Sequence, residues 1–272
     1  MLLSLVVSVA VAAGGAQWLG PKPKAEVRRV VTVAPSLTET VQRLGAGSTL
    51  VGVSRFDEAK EVAALPRIGG FVDPSVEAII ALKPDLLVVQ KAPGNQGPVE
   101  KLASLGVPVL ALPLTTIADV LESIRVLGGA LGKGAEADAL VKRIEAARAR
   151  VREKARQRGT RPKVLFVYGW TPLVVAGPGS FAHELLLDCG AENVAQAATT
   201  AYPVYSLESV VRLKPDVIID AADVPDGKEQ VKALEPLAKV RWVELTSKDL
   251  LHPGPTLETG LETLSDLLST RP

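Results

Sequence analysis

Reactive side chains are scarce in this chain. Two histidines, His183 and His252, and one cysteine, Cys189, are all it holds, so nucleophilic triads, general-base histidines and His-rich zinc sites have few candidates. His183, Glu184, Asp188 and Cys189 fall together on a predicted helix. A metal or thiol site is one reading of them, and a helix surface beside a buried cysteine is the other. Gly177-Pro178-Gly179-Ser180-Phe181 lacks the Gly-x-Ser-x-Gly spacing of a nucleophile elbow. The stretch from Gly128 to Gly134 misses a phosphate-binding Walker loop in spacing and in the residue after Lys133, and Ala34-Pro35-Ser36 stands where a dinucleotide-binding turn would have glycines. The remaining chemistry is that of binding. Phe56, Phe71, Trp170, Tyr202 and Tyr205 fall in loops at predicted strand ends although only 4% of residues are aromatic, and Arg55, Asp57, Lys91, Asp249 and His252 lie near them in sequence. Aromatic faces with a few polar groups suit ligand contact rather than catalysis; the alternative is that each ring packs under its own loop.

A second pattern concerns placement. Ser75 to Val89 returns as Ser206 to Asp220 at an offset of 131, which sets Glu77 on Glu208 and Leu82-Lys83-Pro84-Asp85 on Leu213-Lys214-Pro215-Asp216. Each copy reads as a Ser-capped helix with a carboxylate in its first turn, stopped before proline and followed by an apolar strand. A single copy is an ordinary way to leave a helix for a parallel strand. Two copies in register imply two similar α/β halves.

The rest of the chain is read around those halves. Leu2 to Ala13 is apolar apart from two serines and leads into glycines, with Ala10-Val11-Ala12 as a small-residue cleavage pattern, so residues 1–16 are expected to be an export signal rather than a membrane anchor, which needs about 20 apolar residues. Val27 to Ala34 reads as a first strand, and Ser36-Leu37-Thr38-Glu39 as the capping box of the next helix. Ala137, Leu140, Val141, Ile144, Ala147, Val151 and Ala155 recur at three and four spacing on a helix over 134–158 whose basic end complements its dipole and reads as a solvated face. The expected organisation is an N-terminal α/β lobe over 26–131, an interdomain helix over 134–158 and a C-terminal α/β lobe over 162–272, with one helix from Lys228 to Lys239 and a closing helix carrying Leu257, Leu261, Leu264 and Leu268 on one side. With a net charge of +1 and 22% charged residues, the composition offers nothing to nucleic acid or to an acidic membrane surface.

Val33-Ala34-Pro35-Ser36-Leu37-Thr38-Glu39, Val51-Gly52-Val53-Ser54, Glu77 to Val88, Leu105-Gly106-Val107-Pro108-Val109 and Glu208 to Asp216 together resemble the periplasmic binding proteins with a helical backbone, the group that serves cobalamin, haem and iron-siderophore ABC importers, and most of all its cobalamin-binding member. The resemblance implies an α/β fold of two similar lobes joined by one long rigid helix, a ligand cleft between them, no catalysis and no cofactor of its own, although the cargo can contain cobalt or iron. It implies export to the periplasm, a monomer, and an inner-membrane permease dimer with its ATPase as partner. Phe56, Phe71, Lys91, Trp170, Tyr202, Asp249 and His252 are the expected ligand contacts, and Glu77 and Glu208 the expected permease contacts. Gln90-Lys91 stands where the cobalamin-binding members suggest a tryptophan. A haem cargo would draw on Tyr202, Tyr205 or His252 as axial ligand, and a catecholate siderophore on Arg55, Arg67 and Lys91. The rival readings are a two-lobed α/β enzyme or metallocluster-enzyme subunit, which would need more cysteines, and a purely structural or partner-binding protein.

Overall fold

A computed structural model describes residues 15–23, 26–222, 227–245 and 252–269. The first lobe is built from β1 (Gln17–Leu19), β2 (Val30–Thr32), α1 (Pro35–Arg43), β3 (Leu50–Gly52), α2 (Val76–Ala81), β4 (Leu86–Gln90), α3 (Gln96–Ser104), β5 (Val109–Leu112) and α4 (Ile117–Ala130). Its sheet has the order β1-β5-β4-β2-β3 and is parallel except for β1, which pairs antiparallel with β5. After α5 (Gly134–Arg158) come β6 (Lys163–Trp170), β7 (Leu173–Val175), α6 (Phe181–Asp188), β8 (Glu192–Asn193), α7 (Leu207–Leu213), β9 (Val217–Asp220), α8 (Lys228–Lys232), α9 (Glu235–Ala238), β10 (Arg241–Glu244) and α10 (Leu257–Ser269). The second sheet runs β10-β9-β6-β7, with β8 alongside the start of β6.

The repeat holds its register in three dimensions. Ser75 caps α2 by accepting from the Ala78 amide, and Ser206 caps α7 by accepting from the Ser209 amide. Lys83 and Lys214, the only non-glycine residues at positive φ among those described, take φ 46° and 49° and end the two helices at the same point. The aspartate two residues later then fastens each copy to the first parallel strand of its lobe. Asp85 Oδ2 accepts from the Arg28 and Arg29 amides at 3.0 and 2.9 Å, and Asp216 Oδ2 accepts from the Lys163 amide at 2.7 Å. In return the Asp85 and Asp216 amides donate to the Arg29 and Lys163 carbonyls, both at 2.8 Å. Leu-Lys-Pro-Asp is therefore more than a helix exit: its carboxylate sets the neighbouring strand's register.

Alternation along β6 separates two apolar layers. Val164 and Phe166 face a core continuous with that of the first lobe, whereas Leu165 and Val167 face a smaller core under α7, α8 and α9. The larger core takes in Leu140, Val141, Ile144 and Val151 of α5 together with Leu257, Leu261, Leu264 and Leu268 of α10, all on the expected faces. The basic end of α5 is not simply solvated. Arg143 and Arg150 pair with Glu258 and Glu262 of α10 at 3.3 and 2.6 Å, Lys154 pairs with Asp266, and Arg148 and Arg152 converge on buried Asp188 of α6.

Several local expectations are corrected. The sheet of the first lobe reaches back to Gln17, ahead of the 26–131 span, because β1 closes the free edge of β5. Ser36 does not cap α1: Ala34 occupies the cap with no side-chain bond and Pro35 opens the helix, so Thr38 bonds Thr32 at 2.7 Å instead. The 228–239 helix splits in two because Pro236 starts a new helix and supplies no amide to continue the old one. Asp85→Ala strands two backbone amides and should cost about 1–2 kcal/mol in urea unfolding, more than Asp216→Ala, which frees one amide at an exposed position.

Candidate functional site

Ligands of open α/β sheets collect where parallel strands end. In the first lobe the segment after β3 is anchored by buried Asp57, which accepts from the Ser54 amide and hydroxyl at 2.9 and 2.6 Å. That turn raises Phe56 into solvent, 50% exposed, with the Arg55 guanidinium 5.0 Å from its ring centroid. Arg55 Nη2 also reaches both carboxylate oxygens of Asp73 at 2.8 Å. The Arg55 guanidinium holds the Asp73 carboxyl below the usual range. Between them, Gly70 lies so close that a Cβ there would stand 2.8 Å from Phe56 Cε2. Phe71 and Val72 come next, 37% and 45% exposed. Their loop is tied down by Asn95, whose amide nitrogen donates to the Phe71 and Gln90 carbonyls at 2.7 and 2.8 Å.

The second lobe answers with Tyr202, Val204 and Leu207, which are 53%, 63% and 36% exposed. Val204 bridges to Val174, and the Tyr202 ring meets Tyr168 edge-on at 5.5 Å. Burial raises both phenols. The lobes touch at the floor between these rims. Glu184 Oε2 accepts from the Ile117 amide at 2.6 Å, and Gly254 approaches Ser36 so closely that a Cβ would sit 3.0 Å from the serine's own. Ser36 and Ile117 each come after a parallel strand of the first lobe, so the lobes meet on the side where those strands end.

The expected contacts distribute unevenly. Phe56, Phe71 and Tyr202 stand on the rims. His252 is exposed two residues before the floor contact at Gly254. Trp170 is a correction: only 5% exposed, it packs on Trp242 and donates from Nε1 to Asp220 at 2.9 Å, so its ring belongs to the smaller core. Asp220 in turn holds buried Lys228; burial works against that ammonium, but Asp220 and Glu244 outweigh it and raise its pKa. Lys91 lines a separate cavity of about 430 Å³ with Leu19, Val99 and Glu100, its Nζ 3.4 Å from the Gly15 carbonyl. Asp249 lies outside the described residues. Glu77 and Glu208 are exposed in the first turns of α2 and α7, and the Ser206 hydroxyl lowers the Glu208 pKa. Sequence reasoning missed Asn95, Tyr168 and Gly254; Pro253-Gly254-Pro255 was the one legible hint among them.

The group around Cys189 is structural. Asp188 is committed to two arginines, His183 Nδ1 lies 2.9 Å from Asn193 Nδ2, and the thiol is buried. Among the described residues no three His, Cys, Asp or Glu side chains are placed to hold a metal.

Residues 30–244 match the model of the periplasmic binding protein family. The chain belongs to that family. Its relatives include the vitamin B12-binding protein of Salmonella typhimurium, 29% identical over 93% of this chain and 92% of that protein. Another is the uncharacterized ABC transporter substrate-binding lipoprotein YvrC of Bacillus subtilis, 29% identical over 89% of this chain and 80% of its own. Among solved structures, the periplasmic heme-binding protein RhuT from Roseiflexus sp. RS-1 in apo form superposes with a TM-score of 0.78 at 25% identity, over 89% of this chain and 98% of that one.

Two outcomes are expected of this periplasmic binding protein. Asn95→Ala leaves the Phe71 and Gln90 carbonyls without their donor and should cost about 1–3 kcal/mol in urea unfolding. Burial pushes the Cys189 thiol up to about 12, so native protein at pH 8 should resist a thiol reagent that labels the unfolded chain. The thiol's contribution to stability is full below its unfolded pKa of about 8.5 and is lost as pH climbs from there toward the folded value.

Proposed function

We propose that this chain is the receptor of an ABC importer: a non-enzymatic protein, exported to the periplasm, that captures a corrinoid or an iron chelate and delivers it to an inner-membrane permease dimer and its ATPase. The observation that carries this reading is the exposure of Phe56 and Phe71 on one rim and Tyr202 on the other. Burying a large aromatic side chain stabilises a fold by roughly 1.5–3 kcal/mol, so a chain with few aromatics that leaves three in solvent is holding them for contact area elsewhere. Rigid rings on two facing lobes fit a ligand with two broad faces, and they bind it at low entropic cost. Corrinoid is the favoured cargo because a vitamin B12-binding relative matches nearly the full length. Haem is the second reading, supported by the phenol that Tyr202 presents at the rim and by the fold match to a heme-binding protein. Export is supported by the apolar run Leu2 to Ala13, and no helix among the described residues is long and apolar enough to cross a membrane.

Glu77 and Glu208 are proposed to meet the permease. The repeat puts one exposed carboxylate at the same point of each lobe, and a two-fold permease offers the same surface twice. Charge pairs of that kind steer encounter and fix orientation without contributing to capture.

In a thermal-shift panel of cyanocobalamin, haem and ferric siderophores, at least one should raise the melting temperature, because it binds only the native state; no shift at saturating concentrations of any of them would contradict the reading. Phe71→Ala and Tyr202→Ala should each weaken that ligand by about tenfold. Glu77→Ala combined with Glu208→Ala should leave affinity intact and abolish stimulation of the reconstituted importer, each single change giving a partial loss; normal transport by the double variant would return both residues to a helix-start role.

A further inference from the structure

We infer that Glu184 is a cross-lobe latch that fixes the opening of the cleft. It sits in the first turn of α6, and its carboxylate reaches the Ile117 amide, the first helical residue of α4, across the floor between the lobes at 2.6 Å. Among the described hydrogen bonds of the α4 start it is the one supplied from the other lobe. Thr116 and Asp119 close a capping box on each other, and Asp119 also accepts from the Thr115 amide, so the Thr115, Thr116 and Asp119 amides are met locally while Ile117 is met by Glu184. A carboxylate set between two helix N-termini is favoured by both dipoles, and a charge-assisted bond of this length holds position better than a neutral one.

The latch is also connected to the rim. Tyr202 rests on Tyr168, which packs against the core that includes Phe181 and Ala182 at the start of α6, and Ala182 lies two residues before Glu184 in the same helical turn. A ligand that moves Tyr202 therefore acts on the start of α6 and, through it, on the lobe contact. On the other side of the floor the close approach of Gly254 to Ser36 is a contact of shape, which sets a distance and no angle. The geometry makes Glu184 a positioning residue for the binding cleft. Its purpose rests on the receptor reading, but the contact itself exists without ligand and is tested without one.

The experiment uses unliganded full-length protein with spin labels at Glu61→Cys and Glu235→Cys, exposed positions on the two lobes; the buried Cys189 thiol is left unlabelled. Pulsed dipolar spectroscopy reads the lobe-to-lobe distance, and hydrogen exchange reads the Ile117 amide. In the wild-type background a narrow distance distribution is expected. Glu184→Ala should broaden or shift it and speed Ile117 exchange about tenfold, the size of one lost charge-assisted bond. Glu184→Gln, which keeps an acceptor oxygen, should fall between. An unchanged distance distribution and unchanged Ile117 exchange in Glu184→Ala would overturn the inference. If Glu184→Ala does not fold, Glu184→Gln decides: wild-type behaviour in both readouts overturns the latch, and faster exchange with a broader distribution supports it. Failure of every ligand in the thermal-shift panel would leave these readouts unaffected, so the two readings fail separately.

Discussion

Everything in this molecule hangs from the apolar stripe of α5. A helix of 25 residues spans roughly 37 Å at 1.5 Å per residue, and most helical stability in a folded protein comes from packing of the apolar face. Burial of Ala137, Leu140, Val141, Ile144, Ala147 and Val151 fixes it between α4 and α10, inside a core that continues from the first sheet into one face of the second. The two lobes therefore share apolar interior rather than being tethered by a linker. The ion pairs from Arg143, Arg150 and Lys154 to α10 run along the outside of that seam; exposed pairs contribute little each, about 0–1 kcal/mol, so they orient the helices more than they hold them.

With the lobes set by α5, the duplicated segment sets each sheet. Lysine at positive φ before proline is an unfavourable conformation for a residue with a side chain, costing about 1–2 kcal/mol. Its occurrence at Lys83 and again at Lys214 shows that the turn is held by its aspartate, Asp85 or Asp216, through the bonds to the neighbouring strand. The same turn orders the helix that carries Glu77 or Glu208. Fold and proposed permease contact thus come from one sequence element.

Much of this was legible in the residues. Period-3.6 spacing marked α5 and α10 because their buried faces are long and regular, and the 131-residue offset marked the two lobes because both copies kept their caps and their Pro-Asp turns. Short elements were not legible. β1 has three residues, and its strand character depends on pairing with β5, which no local pattern announces. Pro35 displaced the capping box expected at Ser36, since a proline at the first helical turn outweighs a serine that could cap one residue later. Among the expected site residues, loop position alone singled out Phe56, Phe71 and Tyr202, which the fold leaves exposed. The same criterion failed for Trp170, where a strand end and a loop end look alike in sequence, and the ring turned inward to meet Asp220. Asn95 and Gly254 act through backbone contacts, which leave almost no trace in a single sequence.

One large two-faced ligand between the aromatic rims is the central claim. Equilibrium dialysis of the purified protein against cyanocobalamin and against haem, with absorbance as the readout, tests it most directly. The predicted result is retention of a single equivalent of the bound species, displaced by the other if both bind and lost when Phe71 and Tyr202 are both replaced by alanine. Retention unaffected by that double replacement would place the ligand elsewhere on the molecule and contradict the claim.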